Sequence, residues 1–327
     1  MSTATKKVIA THSGSFHADE SLAVYMLRLT KEFAGAEIVR TRDPAVIAAA
    51  DIVVDVGAEY DPARNRFDHH QREFKDTFDS HHSIRLSSAG LVYKHFGREV
   101  LANILKWDPA DDRIELVYQK IYSILIESYD AIDNGVSAYP SDVEPKYKDN
   151  TGISRRVSNL NPWWNQPDDD IQERFLKAVE LCGTEFVDRV SYIGLSWLPA
   201  REIVEKALQE RTHFHSSGKI LVFDQFCPWK EHLYILEGEH NIPHATRPLY
   251  ALYADQSGSW RVQAVAKTPD SFESRKALPE AWRGIRDEAL SELAGIPGCI
   301  FVHTTGFIGG NKTKDGALQM ALKALDL

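Results

Sequence analysis

The stretch Val8-Ile9-Ala10-Thr11-His12-Ser13-Gly14-Ser15-Phe16-His17-Ala18-Asp19-Glu20 decides the fold class. Val8-Ile9-Ala10 reads as a short buried strand that runs directly into a polar loop. Gly14 allows that loop to turn tightly. Asp19 stands where a helix N-cap belongs, ahead of the apolar run Leu22 to Leu29. Working outward, Glu37 to Arg40 reads as a second strand, and Pro44 suits the first turn of a helix running to Ala50. Ile52-Val53-Val54-Asp55-Val56-Gly57 reads as a third strand, a continuous apolar run of the kind buried in parallel sheets. Strand, helix, strand, helix, strand up to Gly57 predicts an α/β domain with a mostly parallel sheet, flanking helices and right-handed crossovers.

Further helices are expected at Ser88–Phe96 and Arg113–Asp130. Gly135 to Pro167 is rich in Pro, Asn and Asp and reads as a long loop. Asp170 to Phe214 is helical by pattern, with a break near Ser196-Trp197-Leu198-Pro199. After Ser216-Ser217-Gly218 the texture changes, and strands are expected at Ile220–Phe223, Leu249–Tyr253, Trp260–Ala266 and Ile300–His303. Asp315 to Leu327 reads as a closing helix. The expected division is an α/β domain over 1–215 and a smaller α/β lobe over 216–327.

Composition narrows the function classes. In 327 residues, 43% are hydrophobic and 26% charged, which excludes collagen-like and wholly disordered chains. No apolar run approaches the roughly 18 residues that span a bilayer, so no membrane partner is expected. Met1 to Ala10 has no signal-peptide core, and an intracellular location, cytoplasmic or nuclear, is expected. Cys182, Cys227 and Cys299 are few and widely spaced, forming neither a disulfide framework nor a Cys-x-x-Cys metal site. A net charge of −9 excludes a uniformly basic nucleic-acid surface but allows a local one, and it suits a chain that gathers carboxylates around cations.

Histidine and aspartate punctuate the first half. His12, His17 and Asp19 follow the first strand, Asp55 ends the third, and Asp68-His69-His70 follows it. Ligands in open α/β sheets collect beyond the carboxyl ends of the strands, so these groups are placed to meet. Asp130 and Asp133 share a helix face if that helix continues so far. Imidazole and carboxylate together suit Mn²⁺, Fe²⁺ or Zn²⁺ better than Ca²⁺. Several carboxylates in one cavity repel unless cations neutralise them, and a pair of metals would activate a water for attack on phosphorus. Each residue also has a plainer reading: Asp19 as a cap, Glu20 as a first-turn charge, Asp55 as a turn former, Asp68-His69-His70 as a solvated loop. Their joint placement favours the metal reading. His81-His82, in a polar segment, reads as solvated loop.

These residues resemble the DHH phosphoesterase superfamily, whose name is spelled by Asp68-His69-His70. More closely, the chain resembles the melanocyte-proliferating-gene family, formerly an uncharacterised protein family. The matching stretches are Thr11 to Glu20, Asp55-Val56-Gly57, Phe67 to Gln71, Asp130 to Gly135, Ser274 to Gly284 and His303 to Lys312. The resemblance implies a DHH-like N-terminal lobe holding two divalent metals, usually Mn²⁺, with Mg²⁺, Fe²⁺ and Zn²⁺ as alternatives. It also implies a smaller substrate-gripping C-terminal lobe, and a 3′-to-5′ exonuclease acting on RNA or a short oligonucleotide. It makes His12, His17, Asp19, Asp55 (bridging) and His69 metal ligands, with Asp133 preferred to Asp130 as the last. His70 would touch the scissile phosphate, and Asp68 would orient a histidine. His17 stands where the superfamily usually has an aspartate.

In the second half, Arg275, Lys276 and Arg283 offer cations for phosphate. His303 could stabilise a leaving oxygen, so Arg275, Lys276 and His303 are read as catalytic. Gly306, Gly309 and Gly310 could bring backbone N–H groups to an anion, with Arg283 and Lys312 beside them. A plain strand-to-helix loop is the competing reading of those glycines. Trp163, Trp164 and Trp229 could stack bases, although core packing is the commoner use of such side chains.

Overall fold

The computed structural model describes residues 6–140, 142–166 and 170–327. Pro167 and Met1 to Thr5, which figured in the loop and N-terminal readings, lie outside the described residues. Two compact units are present, Met1–Leu195 and Ser196–Leu327.

In the first unit, β1 (Val8–Thr11) leads to α1 (Ala18–Arg28), β2 (Glu37–Arg40), α2 (Pro44–Ala49) and β3 (Ile52–Val54). A short hairpin of β4 (Tyr60–Asp61) and β5 (Arg66–Phe67) follows. The sheet order is β2-β1-β3-β5-β4, with every pair parallel except β4–β5. Ile9, Ala10, Ile52, Val53 and Val54 have no exposed surface, which is why these runs carry no polar alternation. The third strand is shorter than its apolar run suggested. Asp55 adopts φ +59°, the left-handed region a strand cannot continue through, and Ala58 follows at +51°.

The helices of this unit are α3 (Ser88–Leu105), α4 (Arg113–Ile121), α5 (Glu127–Asp133), α6 (Ile153–Ser158) and α7 (Ile171–Tyr192). One π-helical turn, Tyr122–Ile126, joins α4 to α5, so the helical run reaches Asp133. α1 packs against α3 and α7.

The second unit holds α8 (Leu198–Phe214), β6 (Ile220–Val222), α9 (Trp229–Glu239), β7 (Tyr250–Ala254) and β8 (Trp260–Ala264). It ends with α10 (Asp287–Ala294), β9 (Cys299–Val302), β10 (Ile308–Asn311) and α11 (Lys314–Asp326). The sheet order is β6-β7-β8-β10-β9, and only β6–β7 is parallel. The unit begins earlier than residue 216 because Val204, Ala207 and Leu208 of α8 are buried with Leu221, Leu233 and Ala251 of this unit's core. No helix among the described residues is long and apolar enough to cross a membrane.

Candidate metal centre

Three neighbouring parallel strands, β1, β3 and β5, end at one edge of the first sheet, and each is followed by polar residues. His12 follows β1, Asp55 follows β3, and Asp68-His69-His70 follows β5. The first turn of α1 brings Asp19 and Glu20 to the same edge, and the last residue of α5 brings Asp133.

The resulting distances are short. His12 Nε2 lies 3.0 Å from Glu20 Oε1 and 3.3 Å from Asp55 Oδ2. His69 Nε2 lies 3.0 Å from Asp133 Oδ2 and 3.5 Å from Asp55 Oδ1. Three sets of donors each fall within 4.8 Å of one another: His12, His17, Glu20 and Asp55; Asp55, His69 and His70; and His17, Asp19 and Asp133. Asp55 belongs to two sets and so does His17.

The surroundings aim these groups. His12 Nδ1 lies 3.2 Å from the Ser13 carbonyl oxygen, and Nε2 faces the cluster. Ser88 Oγ donates to Asp55 Oδ1 at 3.0 Å. Asp68 accepts the His70 Nδ1–H at 2.6 Å and the Ala58 N–H at 2.6 Å, so it holds the neighbouring imidazole.

Burial and like charge set the electrostatics. Asp19 is pushed well above the usual carboxylate range, first by burial and then by the charges of Asp55, Asp133 and Glu20. Burial also opposes ionisation of Asp55, but the close imidazoles of His12 and His69 outweigh it and hold the carboxyl low. Burial works against charging His12 and His69, yet the adjoining carboxylates lift them to about 10 and about 9. His70 is raised mainly by its bond to Asp68. His12 Nε2, both Asp19 oxygens, Glu20 Oε2 and both His69 nitrogens are buried and unpaired by hydrogen-bond geometry. Leaving such an atom unsatisfied costs about 1–3 kcal/mol, so buried polar groups of this kind are ordinarily given a partner. Their gathering at one point, as mixed N and O donors, fits divalent cations of the Mn²⁺, Fe²⁺ or Zn²⁺ kind.

Two cavities open on the cluster. One, of about 430 Å³, is bounded by His17, Asp19, His69, Asp133 and Arg85. The other, of about 380 Å³, is bounded by His12, Asp55, His70 and Arg42. A larger groove of about 710 Å³ follows α7 and holds none of these donors.

Residues 8–325 match the family MYG1_exonuc, described as an uncharacterised protein family, UPF0160. The chain belongs to that family. A Dictyostelium discoideum relative, "MYG1 protein", is 52% identical over 97% of this chain and 96% of its own length. The human and rat relatives, each named "MYG1 exonuclease", are 50% and 51% identical over 97% of this chain and 85% and 84% of their own.

Of the candidates for the UPF0160 site, the structure gathers His12, His17, Asp19, Asp55, His69, His70 and Asp133, with Asp68 behind His70. It does not bring Asp130 with them. Asp130 is fully buried and accepts from Ser87 N, Ser87 Oγ, Gly90 N and Tyr122 OH at 2.7–3.1 Å, capping α3 from outside that helix. Glu20, Arg42, Ser88 and Arg85 belong to the site and were not picked out. From sequence Glu20 reads as a first-turn charge; its signal is the spacing from His17, whose N–H it accepts at 2.7 Å. Arg85 donates through Nε to Asn134 Oδ1 at 2.6 Å, a long-range pairing with no local signature. His82 is half-buried beside Asp79 and Ser123, outside these donor sets.

The second unit's candidates divide. Arg275 is committed to a bidentate pair with buried Glu237 at 2.6 and 2.7 Å and to the Pro248 carbonyl. Lys276 donates to the Leu325 carbonyl at 2.7 Å. Gly309 and Gly310 are inside β10, between β8 and β9, so they form neither a loop nor an anion cradle. Lys312 is exposed beyond that strand. Gly306 (φ +73°) sits in the turn after His303, and a Cβ there would lie 2.7 Å from Arg283 Nε. Arg283 bonds the Leu278 carbonyl through Nε alone, and His303 is exposed beside Thr305. Trp229 is core, 2% exposed.

Proposed function

We propose that this chain is a metal-dependent phosphodiesterase of the DHH type that shortens RNA from its 3′ end. The observation that carries the reading is the buried cluster of imidazole and carboxylate donors that share Asp55, together with the name "exonuclease" borne by relatives near 50% identity. Divalent cations bound there, Mn²⁺ by preference, would supply Lewis-acid neutralisation of phosphate charge and acidify a water. Asp55 would serve cations held with His12, His17 and Glu20 and with His69 and His70, and Asp19 and Asp133 would add further carboxylates beside His17. His70, held by Asp68 and 60% exposed at its side chain, is the residue free to give a proton to the leaving oxygen. Arg85 faces the same cavity with its terminal nitrogens available for a phosphate, since Asn134 takes only Nε. In the second unit, Arg283 and His303 flank one turn, and we assign them a phosphate contact there.

The −9 charge gives weight to a smaller substrate, a dinucleotide or pyrophosphate. The two readings separate on one experiment: RNA labelled at either end is incubated with purified protein and Mn²⁺ beside pyrophosphate and dinucleotides. Early release of the 3′ label as mononucleotide is expected. Early release of the 5′ label would reverse the direction, and turnover of the small compounds alone would remove RNA.

A further inference from the structure

The loop between α5 and α7 carries Trp163 and Trp164, 64% and 96% exposed. Indole rings left in water forgo more apolar burial than almost any other side chain, and two in succession are not explained by packing. The turn that presents them is nevertheless held at both ends. Asn161 clamps Phe16 through its amide, accepting from Phe16 N and donating to the Phe16 carbonyl, both at 2.9 Å. Arg174 of α7 donates to the Leu160 carbonyl at 3.1 Å and to Gln166 Oε1 at 3.3 Å, and Gln166 N donates to the Trp163 carbonyl. Phe16 is buried against Phe175 of α7 and immediately precedes His17. The exposed pair is therefore fastened to the same loop that delivers His17 and Asp19. Ser154 and Ser158 of α6, just upstream, line the cavity that those ligands bound. Arg155, between them in sequence, is exposed and adds a cation to the one that Arg85 brings to that cavity.

We propose that Trp163 and Trp164 are a stacking platform for the bases of a single-stranded nucleic acid whose phosphodiester reaches the metal centre. The inference rests on the nuclease reading and deepens it, because it commits the substrate to a strand that carries bases. A π-face accepts every base, as an enzyme that shortens a strand stepwise requires. A turn already ordered by Asn161 and Arg174 loses little further entropy on binding.

The test is fluorescence anisotropy with the full chain, using a labelled single-stranded ribo-oligonucleotide and an abasic ribose-phosphate strand of equal length, with EDTA present so that neither is cut. The native chain should bind the base-bearing strand about tenfold or more tighter. The Trp163→Ala/Trp164→Ala chain should bind both strands alike, and Trp163→Phe/Trp164→Phe should keep most of the preference. A double-alanine chain that retains the preference, or a native chain that has none, overturns the platform and leaves the pair to a protein partner. Cleavage is read separately with Mn²⁺. Cleavage without any tryptophan dependence sinks the platform alone, whereas tryptophan-dependent binding with no cleavage sinks the nuclease reading and leaves the platform as a binding surface.

Discussion

Asp55 concentrates the chemistry of the first unit in one side chain. It stands in the left-handed region at φ +59°, where a non-glycine residue costs of order 1 kcal/mol or more, and three groups hold it there. Ser88 donates to one oxygen, His12 approaches the other, and the Asp55 N–H donates to the Phe67 carbonyl at 3.1 Å. The strand is bent at this residue so that one carboxylate faces two donor sets. Asp55→Asn keeps the shape and the Ser88 bond but removes the charge. Phosphodiesterase turnover should fall by about a hundredfold or more, with an unchanged far-ultraviolet circular dichroism spectrum. Turnover within a few-fold of the native chain would remove Asp55 from the reaction. That the donors would meet was legible, because strand ends in a parallel sheet converge whatever the intervening sequence. The residues alone did not choose between Asp130 and Asp133, and only the family resemblance leaned to Asp133. Both lie on α5, and the choice depends on where α3 begins.

At the scale of elements, Asp130 explains that beginning. Its Oδ1 takes the N–H groups of Ser87 and Gly90, which α3 cannot satisfy internally at its first turn. A Cβ on Gly90 would fall 2.3 Å from that oxygen, so the glycine is there for close approach. Burial raises Asp130 to about 6, against the hydrogen bonds that lower it. The sign follows: the folded chain binds the proton more tightly than the unfolded one, so this group's contribution is complete below about pH 4 and is lost as pH rises through 6. Asp130→Asn keeps the three donors to Oδ1 and cannot ionise. Relative to the native chain it should gain up to about 3 kcal/mol between pH 4 and pH 7 in urea unfolding. A constant difference across that range would refute the assignment. The second unit shows the opposite limit of sequence reasoning. Arg275 stood in a basic run and looked available, but Glu237, 38 positions away, claims both its terminal nitrogens. β10 was hidden because Ile308-Gly309-Gly310-Asn311 has a single β-former, Ile308; its glycines admit Leu278 and Phe301 against the backbone. Arg275→Gln leaves a 2%-exposed carboxylate whose one cation among the described residues is Arg247, at 3.7 Å. It should cost about 3 kcal/mol in unfolding, while the fraction that stays folded keeps its turnover.

For the molecule as a whole, net charge and metal belong to one balance. Asp19, Glu20, Asp55 and Asp133 crowd one sheet edge of a chain already at −9. Without cations, His12 and His69 hold protons near pH 7, which is how the edge limits its own repulsion. Ligating nitrogens must give those protons up, so loading should release protons and tighten as pH rises. Calorimetric titration with Mn²⁺ at pH 7 should therefore give heats that change with the ionisation enthalpy of the buffer. The unbound chain should also be the less stable one. Free Mn²⁺ at a hundredfold excess over its dissociation constant is worth about 2.7 kcal/mol, an increase in melting temperature of about 5–10 °C for a unit of this size. EDTA should reverse the increase, and Asp55→Asn should blunt it. Heats indifferent to buffer, with a melting temperature that Mn²⁺ and EDTA leave unmoved, would mean that the histidines and carboxylates at this edge pair only with one another, and the hydrolytic reading would lose its foundation.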